Sequence, residues 1–296
     1  MAITKDQREQ RKKFLGSSDA AAVVGVDPYR TPLDVWYDKT GKLEPTGAEP
    51  ANDAIDVGVF CERAVLDWFS AKQKIQLITN ENGNDTRRVH ENGIMAANFD
   101  ALIEGDATQA VEAKTTGVVS NYIGEQWGEV GTSEVPDRVA LQCQHQMAVL
   151  PTLQIMWVPV LMGGVGFRLY RVERNEDLIQ NLTACEVAFW KNHVETNLAP
   201  EGLAASIDTF KKLIRIPEKS VEIPDAIVAA WIEAKDAVKQ AEQTKKETEL
   251  LLLAAIGDAE LGKSGMGEVS YFTRTRKAYA VAEGKYRQLV FRKAKP

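Results

Sequence analysis

The sequence predicts a mixed α/β fold over residues 1–199 and a separate arm over 200–296. Short apolar runs of strand character follow one another between residues 74 and 174, and helical patterns lie before and after them. Strands flanked by helices in this way are typical of a mixed sheet with helices on its faces. After residue 199 a long stretch rich in Ala, Glu, Lys and Leu begins. We therefore expect a helical arm there, followed by a small basic β element.

Composition excludes several classes of protein. The first residues, MAITKDQREQRKK, lack the apolar centre of a signal peptide, and no apolar run is long enough to span a bilayer. The three cysteines, Cys61, Cys143 and Cys185, are too few and too far apart for a disulfide framework, a zinc site or an iron–sulfur site. We expect a reducing cytoplasm.

The charge distribution leaves two interpretations open. A formal net charge of −6 counts against a nucleic acid as partner. Basic residues nevertheless gather at both ends, with five Lys/Arg in residues 1–13 and eight beyond Ser270, where Glu283 is the single acid. Both runs are either solvated termini or contacts to a nucleic acid or a partner protein.

Capping residues mark the first two helices. Ser17 or Ser18 is expected to cap a short helix that closes at Gly25, and Thr31 followed by Pro32 begins the next one. Longer helical patterns cover 52–72, 136–150, 175–197 and 224–256, the last of which stops at Gly257.

Strand-like runs lie between these helices. They are KIQLIT (74–79), GIMAANF (93–99), QAVEAKTT (109–116), LQIMWVPVLM (153–162) and VGFRLYRVER (165–174). Gly163-Gly164 joins the last two. A Gly-rich turn at 262–267 and the run EVSYFTRTRKAYAV (268–281) predict the β element of the arm.

The tripeptide E-A-K occurs twice, and its two copies have different geometry. In a strand, Glu112 and Lys114 point to the same side. In a helix, Glu233 and Lys235 diverge, because residues two apart do not face each other. Only the first copy can build a site, and the second is expected to be solvated helix surface.

Asp100 precedes a hairpin-sized connection that leads to Glu112. If the two strands pair, the two carboxylates come close together and repel each other unless a cation lies between them. Hard oxygen ligands of this kind suit Mg²⁺ or Mn²⁺. The alternative is an exposed hairpin edge with scattered charges.

Glu62 interrupts an apolar stripe on the helix at 52–72. Ile55, Val59, Leu66 and Phe69 recur at spacings of three and four. A glutamate on a stripe that faces the core is costly unless it is paired or binds a metal. Glu62 is therefore either a third inward carboxylate of the metal site or one half of a salt bridge, for example to Lys114.

The helix at 136–150 carries three glutamines beside a predicted buried stripe. That stripe is formed by Val139, Cys143, Met147 and Leu150. The flanking residues Gln142, Gln144 and Gln146 are either soluble surface or donors to a backbone phosphate or a metal-bound water.

Taken in order, these motifs resemble the YqaJ-type viral recombinase nucleases, relatives of phage lambda exonuclease in the PD-(D/E)XK superfamily. The resemblance covers roughly residues 8–197. Its motifs are Arg11 ahead of GSSDA (16–20), DPYRTPLDVWYDKTG (27–41), the G-x-x-x-E helix in VGVFCE (57–62), NFDAL (98–102), the E-x-K strand in VEAK (111–114) and the glutamine helix LQCQHQM (141–147). Departures occur as well: Asn98-Phe99 and Ala101 stand where the family has Ser-Pro and Gly, and Val139-Ala140 stand where it often has aromatics.

The resemblance implies a restriction-endonuclease-like core and assigns roles to site residues. Asp100, Glu112 and the backbone carbonyl of Ala113 would bind Mg²⁺, or Mn²⁺ in its place, and Glu62 would join them directly or through water. Lys114 would orient the attacking water. Two further roles concern substrate: Arg11 and Ser18 would contact a terminal 5′-phosphate, and Gln142 and Gln144 are assigned to DNA.

The function that follows from the resemblance is exonuclease digestion of linear double-stranded DNA, 5′→3′, leaving 3′ single strands for recombination. A single-strand annealing protein as partner and a ring-shaped homotrimer are also within what the resemblance implies. The alternative is a DNA-end-binding or recombination scaffold that keeps the fold without turnover. The carboxylates and the lysine argue against a scaffold, which has no need to hold like charges together.

Overall fold

Two compact units divide the chain in the computed structural model, Met1–Arg215 and Ile216–Pro296. The structure describes residues 10–44, 53–80, 85–118, 127–202 and 204–273. No helix within these ranges is long and apolar enough to cross a membrane.

The larger unit is built on a six-stranded sheet with β8 (Ile155–Met162) at its centre. β8 is an almost continuous apolar run, as expected of a strand covered on both faces. One edge of β8 pairs in parallel with β6 (Asp106–Val111) and then with β7 (Lys114–Thr116). Its other edge pairs antiparallel with β9 (Gly166–Glu173). The sheet is therefore mixed, and the predicted fold class is confirmed.

Beyond β6 the sheet continues through two short antiparallel strands, β5 (Ala101–Ile103) and β2 (Leu77–Ile78). The predicted pairing of the strands over 93–99 and 109–116 is wrong, because β5 lies within the predicted connection and it is Ala101 of β5 that pairs with Val111. β2 is shorter than the predicted strand over 74–79.

The predicted continuous strand over 109–116 is wrong, because it is interrupted at Glu112 and Ala113. The register with β8 is the same on both sides of the interruption, and the Glu112 N–H still donates to Trp157 O at 2.9 Å. The Ala113 N–H donates instead to Asp100 Oδ2 at 2.8 Å. This bond lies on the edge away from β8, since the N–H groups of neighbouring residues in a strand point to opposite edges.

A second sheet of three strands carries the approach to Asp100. Its central strand is β4 (Met95–Asn98), which pairs in parallel with β1 (Leu15–Gly16) and antiparallel with β3 (Arg87–Val89). β4 ends two residues before Asp100, so this sheet sets the position of that carboxylate.

Six helices of the larger unit are described. They are α1 (Ala20–Val23), α2 (Pro32–Lys39), α3 (Asp53–Gln73), α4 (Asp137–Val149), α5 (Glu176–Phe189) and α6 (Ile207–Lys212). α4 packs against β4, β8, α1 and α5, and its residues Val139, Cys143 and Met147 are completely buried, as predicted. The predicted helix over 175–197 is α5 followed by a π-helical turn, Trp190–Val194.

The two predicted helix caps have different outcomes. Thr31 caps α2: its hydroxyl accepts from Asp34 N, and its own N–H donates to Asp34 Oδ2. The predicted cap at Ser17 or Ser18 is wrong. A 3₁₀ turn, Ser17–Asp19, precedes α1, and the carboxylate of Asp19 accepts from Gly16 N at 3.0 Å. A carboxylate within the first turn thus replaces the serine hydroxyl.

Residues 204–214 pack onto the larger unit, although the sequence-based boundary at 199/200 assigned them to the arm. Ser206 N donates to the buried carboxylate of Asp34 at 2.7 Å. Leu43 and Leu213 form a β-bridge, and Glu44 N donates to Lys212 O at 2.7 Å. The segment therefore covers the start of α2 and the chain that follows it.

The smaller unit contains one long helix, α7 (Asp225–Ile256), which ends at Gly257 as predicted. A hairpin of β10 (Leu261–Ser264) and β11 (Gly267–Ser270) follows, so the turn lies within the predicted Gly-rich stretch 262–267 but is only two residues long. The eight basic residues beyond Ser270 all follow Thr273 and lie outside the described residues.

The contacts of residues 204–214 predict where the chain can be shortened. A chain that ends at Arg215 keeps the bond from Ser206 to Asp34, whereas a chain that ends at Leu198 leaves that buried carboxylate oxygen without its partner. Such a loss costs about 1–3 kcal/mol. We expect the shorter chain to unfold at lower urea concentration than the longer one. Identical midpoints would show that residues 204–214 contribute nothing to the larger unit.

Candidate active site

The carboxylate of Glu112 lies buried at the break between β6 and β7, with only 4% of the residue exposed. Its Oε1 accepts from Gln142 Nε2 and from Lys114 Nζ, both at 2.6 Å. Its Oε2 accepts from Gln146 Nε2 at 2.6 Å. A buried carboxylate is stable only when a charge and hydrogen bonds replace its water. Here a lysine and two helical amides do so.

Lys114 lies on the same side of the chain as Glu112, which confirms the predicted geometry of the first E-A-K copy. Its Nζ also donates to Gln142 Oε1 at 2.9 Å. Burial by itself lowers the pKa of Lys114, but the charges of Glu112 and Asp100 and the bond to Glu112 outweigh burial and raise the pKa above its usual value. Lys114 is therefore a fixed cation within the site.

Asp100 faces the same break from the end of β4. Its Oδ2 accepts from Ala113 N at 2.8 Å. Burial, followed by the charges of Glu112 and Glu62, raises the pKa of Asp100 well above its ordinary value, against the opposing effect of Lys114. The negative charge of this site thus exceeds what Lys114 offsets.

The oxygen groups of this site suit a divalent cation that keeps several waters better than a cation that is bound by protein groups alone. No group of three or more His, Cys, Asp or Glu side chains that could hold a metal ion occurs in the described part of the chain. Mg²⁺ is usually held by one or two carboxylates and keeps several waters. Asp100 and Glu112, with the carbonyl of Ala113 between Glu112 and Lys114, supply such a set. A cation here would also relieve the repulsion that raises the pKa of Asp100.

A further observation favours water or another ligand at this point. Gln146 is completely buried, and its Oε1 has no hydrogen-bond partner among the described residues. A buried amide oxygen without a partner is costly, and an ordered water would satisfy it.

Glu62 is exposed, so its predicted place on a core-facing stripe is wrong. Val59 is also exposed, and the buried part of α3 starts with Val65 and continues through Leu66 and Phe69. The start of α3 therefore lies at a rim, where apolar spacing does not indicate a core. Glu62 is still close enough for its charge to raise the pKa of Asp100.

The three glutamines of α4 have different roles. Gln142 and Gln146 both bind Glu112. Gln144 is buried on another side of α4, where its amide donates to Glu173 O at 2.7 Å and its oxygen accepts from Asn175 N at 3.0 Å. This corrects the assignment of Gln144 to DNA: both of its polar groups bind the backbone between β9 and α5. It also corrects the placement of Gln144 and Gln146 beside the buried stripe, since both are buried.

Arg11 and Ser18, the two residues predicted to contact a 5′-phosphate, are both exposed. The buried Lys39 connects the backbone at Arg11 to the turn that contains Ser18. Lys39 Nζ donates to Arg11 O at 3.0 Å and lies 2.7 Å from Asp19 Oδ2, which belongs to the same turn as Ser18. Arg30 contacts the other oxygen of Asp19 at 2.9 Å. Burial would raise the pKa of Asp19, but the charges of Lys39 and Arg30 hold it below its usual value.

The sequence interpretation gave Lys39 no role in the site, and it did not place Gln146 at Glu112. Gln146 follows Gln142 by four residues, which places both on one face of α4. That spacing was a usable signal. Lys39 follows the buried Trp36 by three residues on α2, so it lies on the apolar side of that helix. A charged residue in such a position needs a buried partner, and Asp19 is that partner.

The second E-A-K copy has the predicted environment. Glu233 and Lys235 are exposed residues of α7. Lys235 lies over the ring of Trp231, with Nζ 5.3 Å from the ring centroid.

Comparison with known proteins agrees with the order of these motifs. Residues 7–152 match the YqaJ-like viral recombinase domain. This segment is a YqaJ-like viral recombinase domain. The chain is also similar to the uncharacterized protein YqaJ of Bacillus subtilis (strain 168). The two are 28% identical over 270 residues, and the match covers 86% of this chain and 79% of the relative.

Two solved structures resemble about two thirds of this chain at low sequence identity. An alkaline exonuclease (LHK-Exo) from Laribacter hongkongensis is 15% identical, with a TM-score of 0.48, over 66% of this chain and 94% of that one. A phage-related exonuclease from Haemophilus somnus 129PT is 11% identical, with a TM-score of 0.42, over 64% of this chain and 97% of that one.

The bonds to Glu112 predict how stability depends on α4. Gln146→Ala leaves Oε2 of Glu112 without its partner, and we expect a loss of at least about 1–3 kcal/mol in the free energy of unfolding. The matched control is Gln180→Ala, an exposed glutamine on α5, which should stay within about 0.5 kcal/mol of the unchanged protein. Urea titration measures both. Equal losses would mean that Gln146 does not bind a buried charge.

Proposed function

We propose that this protein is a Mg²⁺-dependent exonuclease that digests linear double-stranded DNA 5′→3′ and leaves 3′ single strands for recombination. The observation that supports it most is the convergence of Asp100, Glu112 and Lys114 at one strand break. The carboxylates of Asp100 and Glu112 repel each other beside the ammonium group of Lys114, which lowers the stability of the folded protein. The same arrangement is useful for phosphodiester hydrolysis.

Each residue has a distinct task in this proposal. When bound, a divalent cation supplies the positive charge that polarises the scissile phosphate. Asp100, Glu112 and the carbonyl of Ala113 would hold that cation, and Glu62 would contribute directly or through water. Lys114 donates from Nζ to the attacking water and offsets the charge that develops on the phosphate. Gln142 keeps Lys114 and Glu112 in fixed positions, since it bonds to both.

The two E-A-K copies provide matched variants to test this assignment. Glu112→Gln and Lys114→Ala should reduce digestion of a linear duplex by at least about a hundredfold, because each removes a group from the chemical step. Glu233→Gln and Lys235→Ala change the same residue types on the exposed α7 and should retain full activity. EDTA should stop the unchanged protein without unfolding it, as followed by circular dichroism.

Two outcomes of that experiment would reject the proposal. Comparable activity in all four variants would remove Glu112 and Lys114 from the site. DNA-end binding by the unchanged protein without Mg²⁺- or Mn²⁺-dependent cleavage would favour the competing function, a recombination scaffold.

The direction of digestion depends on recognition of a terminal phosphate. Lys39 joins the backbone of Arg11 to the turn that contains Ser18, so an exposed guanidinium and an exposed hydroxyl lie at the ends of one buried network. A doubly charged terminal phosphate accepts bidentate bonds from arginine, and an internal phosphodiester carries less charge. β1, which lies between Arg11 and Ser18, pairs with β4, the strand that leads to Asp100. These contacts support a 5′-phosphate pocket beside the hydrolytic site.

Substrates that differ only at their ends test this polarity. Duplexes with 5′-phosphate ends should be degraded faster than the same duplexes with 5′-hydroxyl ends, and Arg11→Ala should erase most of the difference. Lys13→Ala is the control, because it removes another exposed positive charge from the same segment. Equal loss of the preference in both variants would indicate general attraction by a basic terminus. Preferential loss from 3′ ends would reverse the assigned direction.

A further inference from the structure

His145 and Glu186 form a fully buried pair behind the candidate site, and neither side chain has any exposed surface. His145 lies on α4, next to Gln146, and Glu186 lies on α5. Nδ1 of His145 is 2.9 Å from both carboxylate oxygens of Glu186, and Nε2 is 3.1 Å from the carbonyl oxygen of Ala96 in β4. One imidazole ring therefore connects two helices and a strand.

The partners of the ring indicate its protonation. The Ala96 carbonyl can only accept a hydrogen bond, so Nε2 carries a hydrogen. Nδ1 faces both oxygens of one carboxylate, and a carboxylate also only accepts, so Nδ1 carries a hydrogen as well. Burial lowers the pKa of His145, but the charge of Glu186 and the bonds to Glu186 and Ala96 outweigh burial and raise that pKa. With an ionised Glu186 these contacts favour an imidazolium, and in a neutral ring Nε2 can still donate to Ala96.

The position of the pair matters because α4 is connected to Glu112 by hydrogen bonds and to Asp100 through β4. Through Gln142 and Gln146, α4 holds Glu112. Through His145, it binds Ala96 in the strand that ends just before Asp100. A shift of α4 along β4 would therefore move two donors away from Glu112 and change the separation of the two acidic groups.

We propose that His145 is a positioning residue of this site: by its hydrogen bonds to Glu186 and to the Ala96 carbonyl, it fixes α4 against β4 and keeps Gln142 and Gln146 at Glu112. His145 contacts none of the groups that would react, so it is not a catalytic residue. The role rests on the proposed nuclease function, whereas the geometry can be measured without any activity.

The charges around His145 are few. α5 contributes Glu186. The turn Ser17–Asp19 contributes Asp19, whose charge also raises the pKa of His145 and which is itself paired with Lys39 and Arg30. β4 contributes only the carbonyl of Ala96 among the described contacts. Because the folded pKa of His145 is raised, the stability that the pair contributes is complete below about pH 6.5, the unfolded value, and is lost as pH rises through the folded value.

The decisive variant is the double substitution His145→Leu with Glu186→Leu. A buried ion pair that is replaced as a whole by apolar side chains often leaves stability nearly unchanged. A purely structural pair would therefore be replaced without effect at Glu112. We expect the side-chain amide resonances of Gln142 and Gln146 in ¹⁵N-labelled protein to shift, and the Kd for Mn²⁺ to rise by about tenfold or more. The unfolding midpoint should fall more between pH 6 and pH 9 in the unchanged protein than in the double variant.

Glu186→Gln is the matched control. A neutral His145 still donates from Nε2 to Ala96, and Nδ1 accepts from the new amide, so both hydrogen bonds remain and α4 keeps its place. The two glutamine resonances and the Kd for Mn²⁺ should stay close to those of the unchanged protein, while the His145 ring titrates at lower pH.

Three results would overturn the inference. They are glutamine resonances that do not move in the double variant, an equal effect of Glu186→Gln, and an Nε2 of His145 that carries no hydrogen in the unchanged protein at pH 7. The last measurement decides the question even if the double variant does not fold, because Nε2 must carry a hydrogen to donate to Ala96. Failure of the nuclease proposal looks different, because the unchanged protein would then show the expected resonances and a protonated Nε2 but no Mn²⁺-dependent cleavage.

Discussion

The need to satisfy one buried carboxylate shapes the larger unit. Glu112 lies inside the protein with a single lysine near it, and two amides from α4 complete its hydrogen bonds. This fixes α4 across the sheet, and α4 brings His145 to β4 and Cys143 into the core. The interruption between β6 and β7 lies beside this carboxylate, and Ala113 within it donates its N–H to Asp100. Stability alone favours an apolar residue at position 112, so the charge indicates a function.

Much of the architecture was predictable from short-range patterns. The alternation of strands and helices, the Thr31–Pro32 start of α2 and the end of α7 at Gly257 are local features, and the structure has them as expected. Such predictions succeed because backbone geometry within a few residues decides them.

The errors arose where tertiary contacts decide. Glu62 has helical spacing typical of a buried stripe, but the start of α3 is exposed, and periodicity does not reveal which end of a helix leaves the core. Gln144 and Gln142 are indistinguishable in sequence, and only the packing of α5 and β9 assigns one of them to backbone contacts. Asp19 displaced the expected serine cap because Lys39 and Arg30, from elsewhere in the chain, stabilise its charge.

The attachment of residues 204–214 to α2 has a consequence for synthesis on the ribosome. Asp34 emerges early, yet its partner Ser206 is made 172 positions later. At about 5–20 residues per second, the start of α2 waits on the order of ten seconds or more for that bond. During this interval β8 and β9 can already pair, since they form a local hairpin, and the N-terminal part can pack on β4 and α4. The buried carboxylate of Asp34 alone waits for its late partner, so the start of α2 stays open to chaperones and proteases until residues 204–214 leave the ribosome.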